Sequence, residues 1–471
     1  MEADGLARYS VRRGILACRS LRMSQMNKRT RGPKGSLTLP LRWFGRIVRF
    51  VLGTPARAVR GTARLVADPA RQVVDYWASE RQTMRQSFIA NLISSVTSLA
   101  AGIALVGMDH RIEEVDGLFI LIPVSIGMRG NIFGALAARL GTSIHSGLFE
   151  VTFDRAGLLF QNLYASVLLT ATTSVAMGLL ARAVAGLLGI DTVSVWLLIT
   201  VAFIGGIISS AVVLAVTIYL SIVSFRKGWD LDSVGAPLIT TIGDIVTLPA
   251  ILLASYLVGA KQLGTGLGIA ALGLGILALV RGWTVDHQTT RRIVRESFPV
   301  LSIAIVLDIL AGTVVEPRIQ NVLAFPALLL VIPGFLEKTG ALGAILAARL
   351  GSKLHLGAVT PRARPDAAAL LDGSIVFVVG IVSYAVISIT TLIVAELIGA
   401  AYPGAFRFFG IVMTGGILVT LIAAVIGYYA ATTTYRFGFD PDNHTIPLVT
   451  SGMDLLGVIC LVVALALFGV A

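Results

Sequence analysis

Two aspartates in matched positions are the residues of this sequence best suited to chemistry. Asp244 ends the segment Thr-Thr-Ile-Gly-Asp and Asp454 ends Thr-Ser-Gly-Met-Asp, each a few residues into an apolar stretch. An isolated carboxylate inside a membrane costs at least about 2.5–3.5 kcal/mol, so it normally faces a bundle interior and has a partner or a function. Two facing carboxylates favour a divalent cation. The alternative is that each carboxylate reaches the membrane interface or caps a helix.

Hydroxyl groups and a third acid could add oxygen ligands nearby. Thr240 and Thr450 precede the two aspartates by one turn, and could offer hydroxyl or carbonyl oxygens along the ion path. Back-bonding of these hydroxyls to their own helix is an equally good interpretation. Asp308 is another intramembrane acid, but it lacks a matched acid elsewhere in the chain.

A candidate polar break lies in an earlier apolar stretch. Gly130 and Asn131 follow Pro123, a pattern that predicts a broken helix whose carbonyls and Asn131 side chain line a polar cavity. A break that serves packing alone would leave the same pattern. Glu337 and Lys338 occur in the matching stretch of the second copy only, so any site here is asymmetric.

These residues belong to two copies of one unit. The sequence repeats at an offset of 210 residues, as from Pro123 to Pro333, and 123–147 align with 333–357 without a gap. The same offset carries Thr240 and Asp244 onto Thr450 and Asp454. We call residues 210 positions apart counterparts, and we expect a first repeat at 81–259 and a second repeat at 291–471.

Composition places both repeats in a membrane. The chain is 56% hydrophobic and 14% charged, whereas soluble domains are about 45–50% apolar and about 25% charged. Residues 195–214 and 376–395 are uncharged for the roughly 20 residues that a spanning helix needs, which favours a helical bundle over a barrel. The two cysteines, Cys18 and Cys460, are too far apart in sequence to indicate a disulfide framework or a cysteine metal site.

The expected architecture is an all-α integral membrane protein of about eleven spans. The first repeat has apolar stretches near 87–108, 117–138, 158–189, 193–223 and 236–259, and the second repeat supplies five more. A short apolar stretch at 267–280, within a linker at 260–290, adds a crossing that gives both repeats the same orientation. The repeats would then be related by a pseudo-twofold axis along the membrane normal.

Charge predicts the orientation and the role of the first 80 residues. Of the 38 Lys and Arg residues, 18 lie in 1–85, and a cytoplasmic N-terminus also places most basic loops in the cytoplasm. Residues 1–80 are therefore expected to be a basic cytoplasmic or interfacial segment that contacts anionic lipid headgroups. Nucleic-acid binding is the weaker interpretation of the net charge of +12.

The motifs resemble those of MgtE-type magnesium transporters, and the tandem arrangement resembles solute carrier family 41. The resemblance rests on Pro-x6-Gly-Asn followed by Ala-Ala-Arg-Leu at 123–140, its copy at 333–350, and the Thr-Thr/Ser-x-x-Asp segments. It implies a five-helix pore unit that works as a parallel dimer, with an aspartate of the fifth helix holding hydrated magnesium on the axis. Asp244 and Asp454 match that aspartate, so this chain would be its own pseudo-dimer. The acidic N-terminal domain and the CBS pair of that family have no match here.

The sequence thus predicts a multi-pass transporter of the cell membrane that carries Mg²⁺, with Asp244 and Asp454 as the central ion site. Mn²⁺, Co²⁺ and Ca²⁺ are alternative ions. The rival function is a sodium- or proton-coupled carrier of a small organic solute, in which the same acids relay coupling ions. An intramembrane enzyme is disfavoured, because neither a His-Glu-x-x-His motif nor a nucleophile elbow stands at a suitable position.

Overall fold

The fold is built from long helices. The computed structural model describes Val73 and residues 76–78, 81–152, 154–227, 236–355, 357–438 and 445–470, without the side chains of 81–93, 145, 236–238 and 355. Over these ranges all of the regular structure is helical. Residues 1–72, which include most of the expected basic segment, lie outside the described residues.

Eleven long helices account for most of this described part. The first repeat contributes five helices: α1 Arg81–Val106, α2 Leu118–His145, α3 Leu158–Leu187, α4 Val195–Lys227 and α5 Ala236–Ser255. The linker helix α6 is Lys261–Thr284. The second repeat contributes α7 Gln288–Val315, α8 Pro326–His355, α9 Ala367–Ile398, α10 Ala405–Phe437 and α11 Ile446–Leu467.

The helices confirm the expected multi-pass architecture. Ten of them, α2 to α11, are long and apolar enough to cross a membrane, and α1 carries a shorter apolar segment, Ser94–Val106. The linker stretch predicted at 267–280 is a helix of 24 residues, which is long enough to span. The prediction of a helix break at Gly130 and Asn131 is wrong, because α2 continues through both residues and contains Pro123.

The first helix of each repeat packs on the opposite repeat. Helix α1 lies against α8 and α9, and its counterpart α7 lies against α2 and α3. Glycines allow both approaches: a Cβ on Gly102 would overlap the carbonyl oxygen of Leu330, and a Cβ on Gly312 would lie 2.7 Å from the Cα of Ile120. Gly102 and Ile120 have Gly312 and Leu330 as counterparts, so one contact is made twice. The two repeats are therefore interlocked.

The linker helix packs mainly on the first repeat, and its C-terminal end also contacts α7 of the second repeat. Helix α6 packs on α3 and α4, and only 22% of its most apolar 18-residue stretch is buried. Leucines at 263, 274 and 277 are exposed on its outer side. In a membrane protein, such a face meets lipid.

The residues just before α1 are attached to the second repeat. The Tyr76 hydroxyl donates to Asp372 of α9 at 2.6 Å, and the Lys353 ammonium donates to both Asp372 at 2.7 Å and Tyr76 at 2.8 Å. Trp77 donates to Ser374 at 3.1 Å. Burial and the hydrogen bond to Asp372 raise the pKa of Tyr76, so its hydroxyl keeps the proton that it donates.

Candidate ion site

The two matched aspartates lie at equivalent depths in equivalent helices. Both α5 and α11 have a proline in the first turn, where its missing N–H leaves no intrahelical hydrogen bond unmade. Asp244 and Asp454 follow eight residues after the first residue of their helices, Ala236 and Ile446. Asp244 is 6% exposed, and Asp454 is partly buried.

The aspartates share one acidic region. Asp244 is close enough to Asp454 and Glu337 for their charges to interact, and Asp308 is close enough to Asp454. The hydroxyl of Thr339 faces Asp454 Oδ1 at 3.4 Å. We call Asp244, Asp308, Glu337 and Asp454 the acidic centre. Its members come from α5, α7, α8 and α11, so both repeats build it.

Asn131 connects the two repeats beside this centre. Its Nδ2 donates to the Ser451 hydroxyl at 3.3 Å, and its Oδ1 lies 3.1 Å from the Thr450 hydroxyl. Thr450 also lies 2.9 Å from the carbonyl oxygen of Ile446. Its single proton can serve only one acceptor at a time, so back-bonding and the contact with Asn131 compete.

Thr240 occupies the corresponding place in the first repeat. A Cβ on Gly134 would lie 3.8 Å from its methyl group, and one on Gly130 would lie 4.0 Å away. On the other side, Gly340 faces Thr450 in the same way at 3.5 Å. A Cβ at either Gly130 or Gly134 would make only ordinary van der Waals contact, so the packing of α5 on α2 does not require glycine at 130.

A buried ion pair of α8 joins the acidic centre. Lys338 is fully buried, its Nζ lies 3.7 Å from a Glu337 oxygen, and it donates to the Ser94 hydroxyl, which in turn donates to Glu337. Lys338 and Asp244 are also close enough for their charges to interact. Both Glu337 and Lys338 are visible in the sequence, but sequence reasoning alone did not include them in the ion site. Two charged residues inside an apolar span are unusual, and this was the signal that could have indicated their role.

Asp308 has a partner in space that the repeat does not indicate. A Cβ on Gly127 would lie 2.5 Å from Asp308 Oδ2, so the carboxylate of α7 rests on α2. At the equivalent contact of α1 with α8, the counterpart of Gly127 is Glu337, and Ser94 bonds to it. Each repeat-to-repeat contact therefore holds one further acid, which comes from α7 on one side and from α8 on the other.

The acids do not form a compact cage. Within the ranges that the structure covers, no group of three or more His, Cys, Asp and Glu side chains is placed to hold a metal ion. Neither oxygen of Asp308 has a hydrogen bond of normal geometry, although the Ser451 hydroxyl is nearby. A cavity of about 10 Å³ reaches Asn131 between α2, α3, α7 and α11, which is about the space of one water. The described acids thus lie near one another without enclosing a compact metal cage.

Comparisons with known proteins find similarity over both repeats. Residues 122–254 and 332–464 each match the family model MgtE, a divalent cation transporter. Solute carrier family 41 member 3 of Rattus norvegicus is 24% identical over 406 residues, which are 80% of this chain and 85% of that protein. Member 3 of Mus musculus is 26% identical over 403 residues, covering 79% and 80%. Member 2 of Homo sapiens is 25% identical over 406 residues, covering 79% and 68%. No solved structure matches the chain.

Proposed function

The chain belongs to the MgtE family of divalent cation transporters, and we propose that it carries Mg²⁺, with Asp244 and Asp454 as the central ion site. The family consists of membrane transporters and not of enzymes. One observation carries the proposal for the site. The two counterpart aspartates, from α5 and α11, lie close enough for their charges to interact across the boundary between the repeats.

We propose that the ion at this site keeps its hydration shell. Mg²⁺ gives up its waters reluctantly and usually meets one or two protein carboxylates directly or through water. A site in which two aspartates contact the hydration shell needs no compact cage of acids. Asp308, Asn131 and the hydroxyls of Thr240 and Thr450 add oxygen atoms that can accept or donate hydrogen bonds to this shell.

The proposal extends to the whole molecule. One chain would work as its own pseudo-dimer, because the repeats together supply the acidic centre. We place it in the cell membrane with the N-terminus in the cytoplasm, where the basic residues of 1–80 would meet anionic headgroups. The contact between Tyr76 and the Lys353 end of α8 requires both to lie on one side of the membrane, and we propose that this side is the cytoplasm.

The test is Mg²⁺ flux into proteoliposomes. We expect Asp244→Asn and Asp454→Asn each to reduce flux at least about tenfold, since a lost charge contact of about 1.4 kcal/mol changes binding tenfold. The double variant should reach the level of empty vesicles. Asp366→Asn is the matched control: Asp366 caps α9, and Asn caps a helix equally well, so this variant should transport normally.

The same assay ranks the alternatives. Competition by Mn²⁺, Co²⁺ and Ca²⁺ would order the ions. Wild-type flux no greater than that of empty vesicles, with or without a sodium gradient, would contradict Mg²⁺ transport and favour a coupled carrier of an organic solute. Normal flux in the folded double variant would leave Mg²⁺ transport standing and remove the aspartates from it.

A further inference from the structure

A second polar cluster lies inside the first repeat, on the side of α2 that faces α4. Arg129 of α2 is 1% exposed. Its Nη1 donates to the carbonyl oxygen of Gly206 at 2.9 Å and to the Ser210 hydroxyl. Among the described residues, its Nε and Nη2 have no hydrogen-bond partner. The guanidinium therefore keeps unused donors in the interior of a membrane protein.

The charge of this group is also not balanced. Both partners of Nη1 are neutral oxygen atoms, and no described carboxylate forms an ion pair with Arg129. A buried charge without a counter-charge strongly destabilises a fold, and more so within a membrane. Arg129 thus requires something that the described side chains do not provide.

Other unpaired groups border the same space. Ser174 of α3 is fully buried, and its hydroxyl has no partner in the described structure. A Cβ on Gly206 would overlap this hydroxyl and would lie 3.5 Å from Arg129 Nη2, so both groups lie beside Gly206. Ser125, one turn before Arg129 on α2, is likewise buried with an unpaired hydroxyl.

The second repeat fills this space with aromatic rings. The counterparts of the two serines and the arginine are Phe335, Tyr384 and Thr339. The rings of Phe335 and Tyr384 lie 4.9 Å apart between centroids, and Tyr384 packs on Gly416, the counterpart of Gly206. The first repeat therefore has two small hydroxyl side chains and an arginine where the second repeat has two aromatic rings and a threonine.

We propose that the first repeat binds a small monovalent anion of halide size between Arg129 and Ser174. An anion accepts hydrogen bonds from the free guanidinium N–H groups and from the serine hydroxyl, and it also balances the buried charge. A water molecule would satisfy the hydrogen bonds but would leave the charge. The anion is a resident counter-ion, and this site goes beyond the proposed Mg²⁺ path.

The test measures halide bound to the purified full-length chain. Wild-type protein is prepared in chloride or bromide, washed into gluconate and denatured, and the released halide is quantified by ion chromatography. We expect about one halide per chain from wild type and its loss in Arg129→Gln. Ser174→Tyr, which installs the residue of the second repeat and keeps the guanidinium, should also lose it. Arg139→Gln is the control, because Arg139 of α2 bonds to Asn162 instead and should leave the halide bound.

A second measurement covers an anion that exchanges during the wash. The unfolding temperature of wild type should then be higher in chloride than in gluconate at equal ionic strength, and Ser174→Tyr should lose this shift. Wild type that releases no halide and unfolds at the same temperature in both salts holds water only, which overturns the proposal. Equal halide release from wild type and folded Ser174→Tyr also overturns it. Halide release from a chain without Mg²⁺ flux would reject only the transport proposal.

Discussion

At the scale of single residues, Lys338 places a positive charge inside the acidic centre. Its ammonium is fully buried, lies 3.7 Å from Glu337 and is close enough to Asp244 for their charges to interact. Two unit charges about 4 Å apart interact by about 4 kcal/mol at an effective dielectric of about 20. At the proposed ion site, Lys338 would therefore repel an incoming divalent cation while the acids attract it.

Removing this ammonium should strengthen Mg²⁺ binding. Lys338→Met introduces the residue that its counterpart Met128 already has, so we expect the variant to fold. Its half-saturating Mg²⁺ concentration should fall roughly tenfold, because relief of about 1.4 kcal/mol of repulsion suffices for that change. Flux as a function of Mg²⁺ concentration measures the effect.

The control for this prediction removes a lysine elsewhere. Lys353→Met acts on the contact with Asp372, away from the acidic centre, and should leave the half-saturating concentration unchanged. An unchanged or higher half-saturating concentration in folded Lys338→Met would show that the ammonium does not oppose the ion.

At the scale of elements, the packing of each first helix on the opposite repeat depends on a glycine, which is Gly102 in α1 and Gly312 in α7. A methyl group on Gly312 would lie 2.7 Å from the backbone of Ile120, so α7 could not keep its distance from α2. We expect Gly312→Ala to lower the free energy of unfolding by about 1–3 kcal/mol, the usual cost of overpacking. Gly273→Ala on α6 meets nothing within 4 Å and should be neutral or stabilising, since alanine favours helices. Thermal unfolding in detergent compares the two, and equal midpoints would contradict close packing at Gly312.

A second prediction concerns the attachment of the residues before α1. Tyr76→Phe removes the hydroxyl that bonds to Asp372 and Lys353 and keeps the ring, which lies 5.3 Å from the Lys353 ammonium. Hydrogen bonds to charged groups contribute about 1.5–3 kcal/mol. We therefore expect faster amide hydrogen exchange at residues 76–78, with exchange in α9 unchanged. Equal exchange in both proteins would mean that Trp77 alone holds this segment.

The elements also show what a sequence can predict and where it stops. The repeat offset and the long apolar stretches predict the helices to within seven residues at either end, because burial in lipid demands length and apolar character. Hydropathy does not indicate which helices pack against each other, so the packing of α1 and α7 on the opposite repeats was not predicted. The 210-residue offset pairs Asp308 with Ser98. In the structure, however, the acid at the matching contact between the repeats is Glu337, the counterpart of Gly127. The helix break at Gly130 failed as a prediction because a long apolar helix tolerates single proline and glycine residues: α2 continues through Pro123, Gly130 and Asn131.

At the scale of the whole molecule, the interlocked repeats predict that neither half is stable alone. Each first helix packs on the fifth helix of its own repeat and on two helices of the other repeat, so a separated half would expose part of that helix and the surface that receives its counterpart. A chain divided in the loop between α6 and α7, with both pieces co-expressed, should assemble and transport Mg²⁺. Either piece expressed alone should aggregate in detergent, as measured by size-exclusion chromatography. A monodisperse, folded first half would show that packing between the repeats contributes little to stability.

Joining the two repeats in one chain has a consequence for how the proposed ion path at the acidic centre can evolve. In a homodimer, every mutation near the axis changes the charge twice, so a single new acid or base always arrives with its mirror image. The fused chain escapes this rule. Glu337 faces a helix that carries Ser94, Asp308 faces Gly127, and Lys338 stands where the other copy has methionine. Selection can therefore adjust the charge of this proposed ion path in odd steps that a symmetric homodimer could not take.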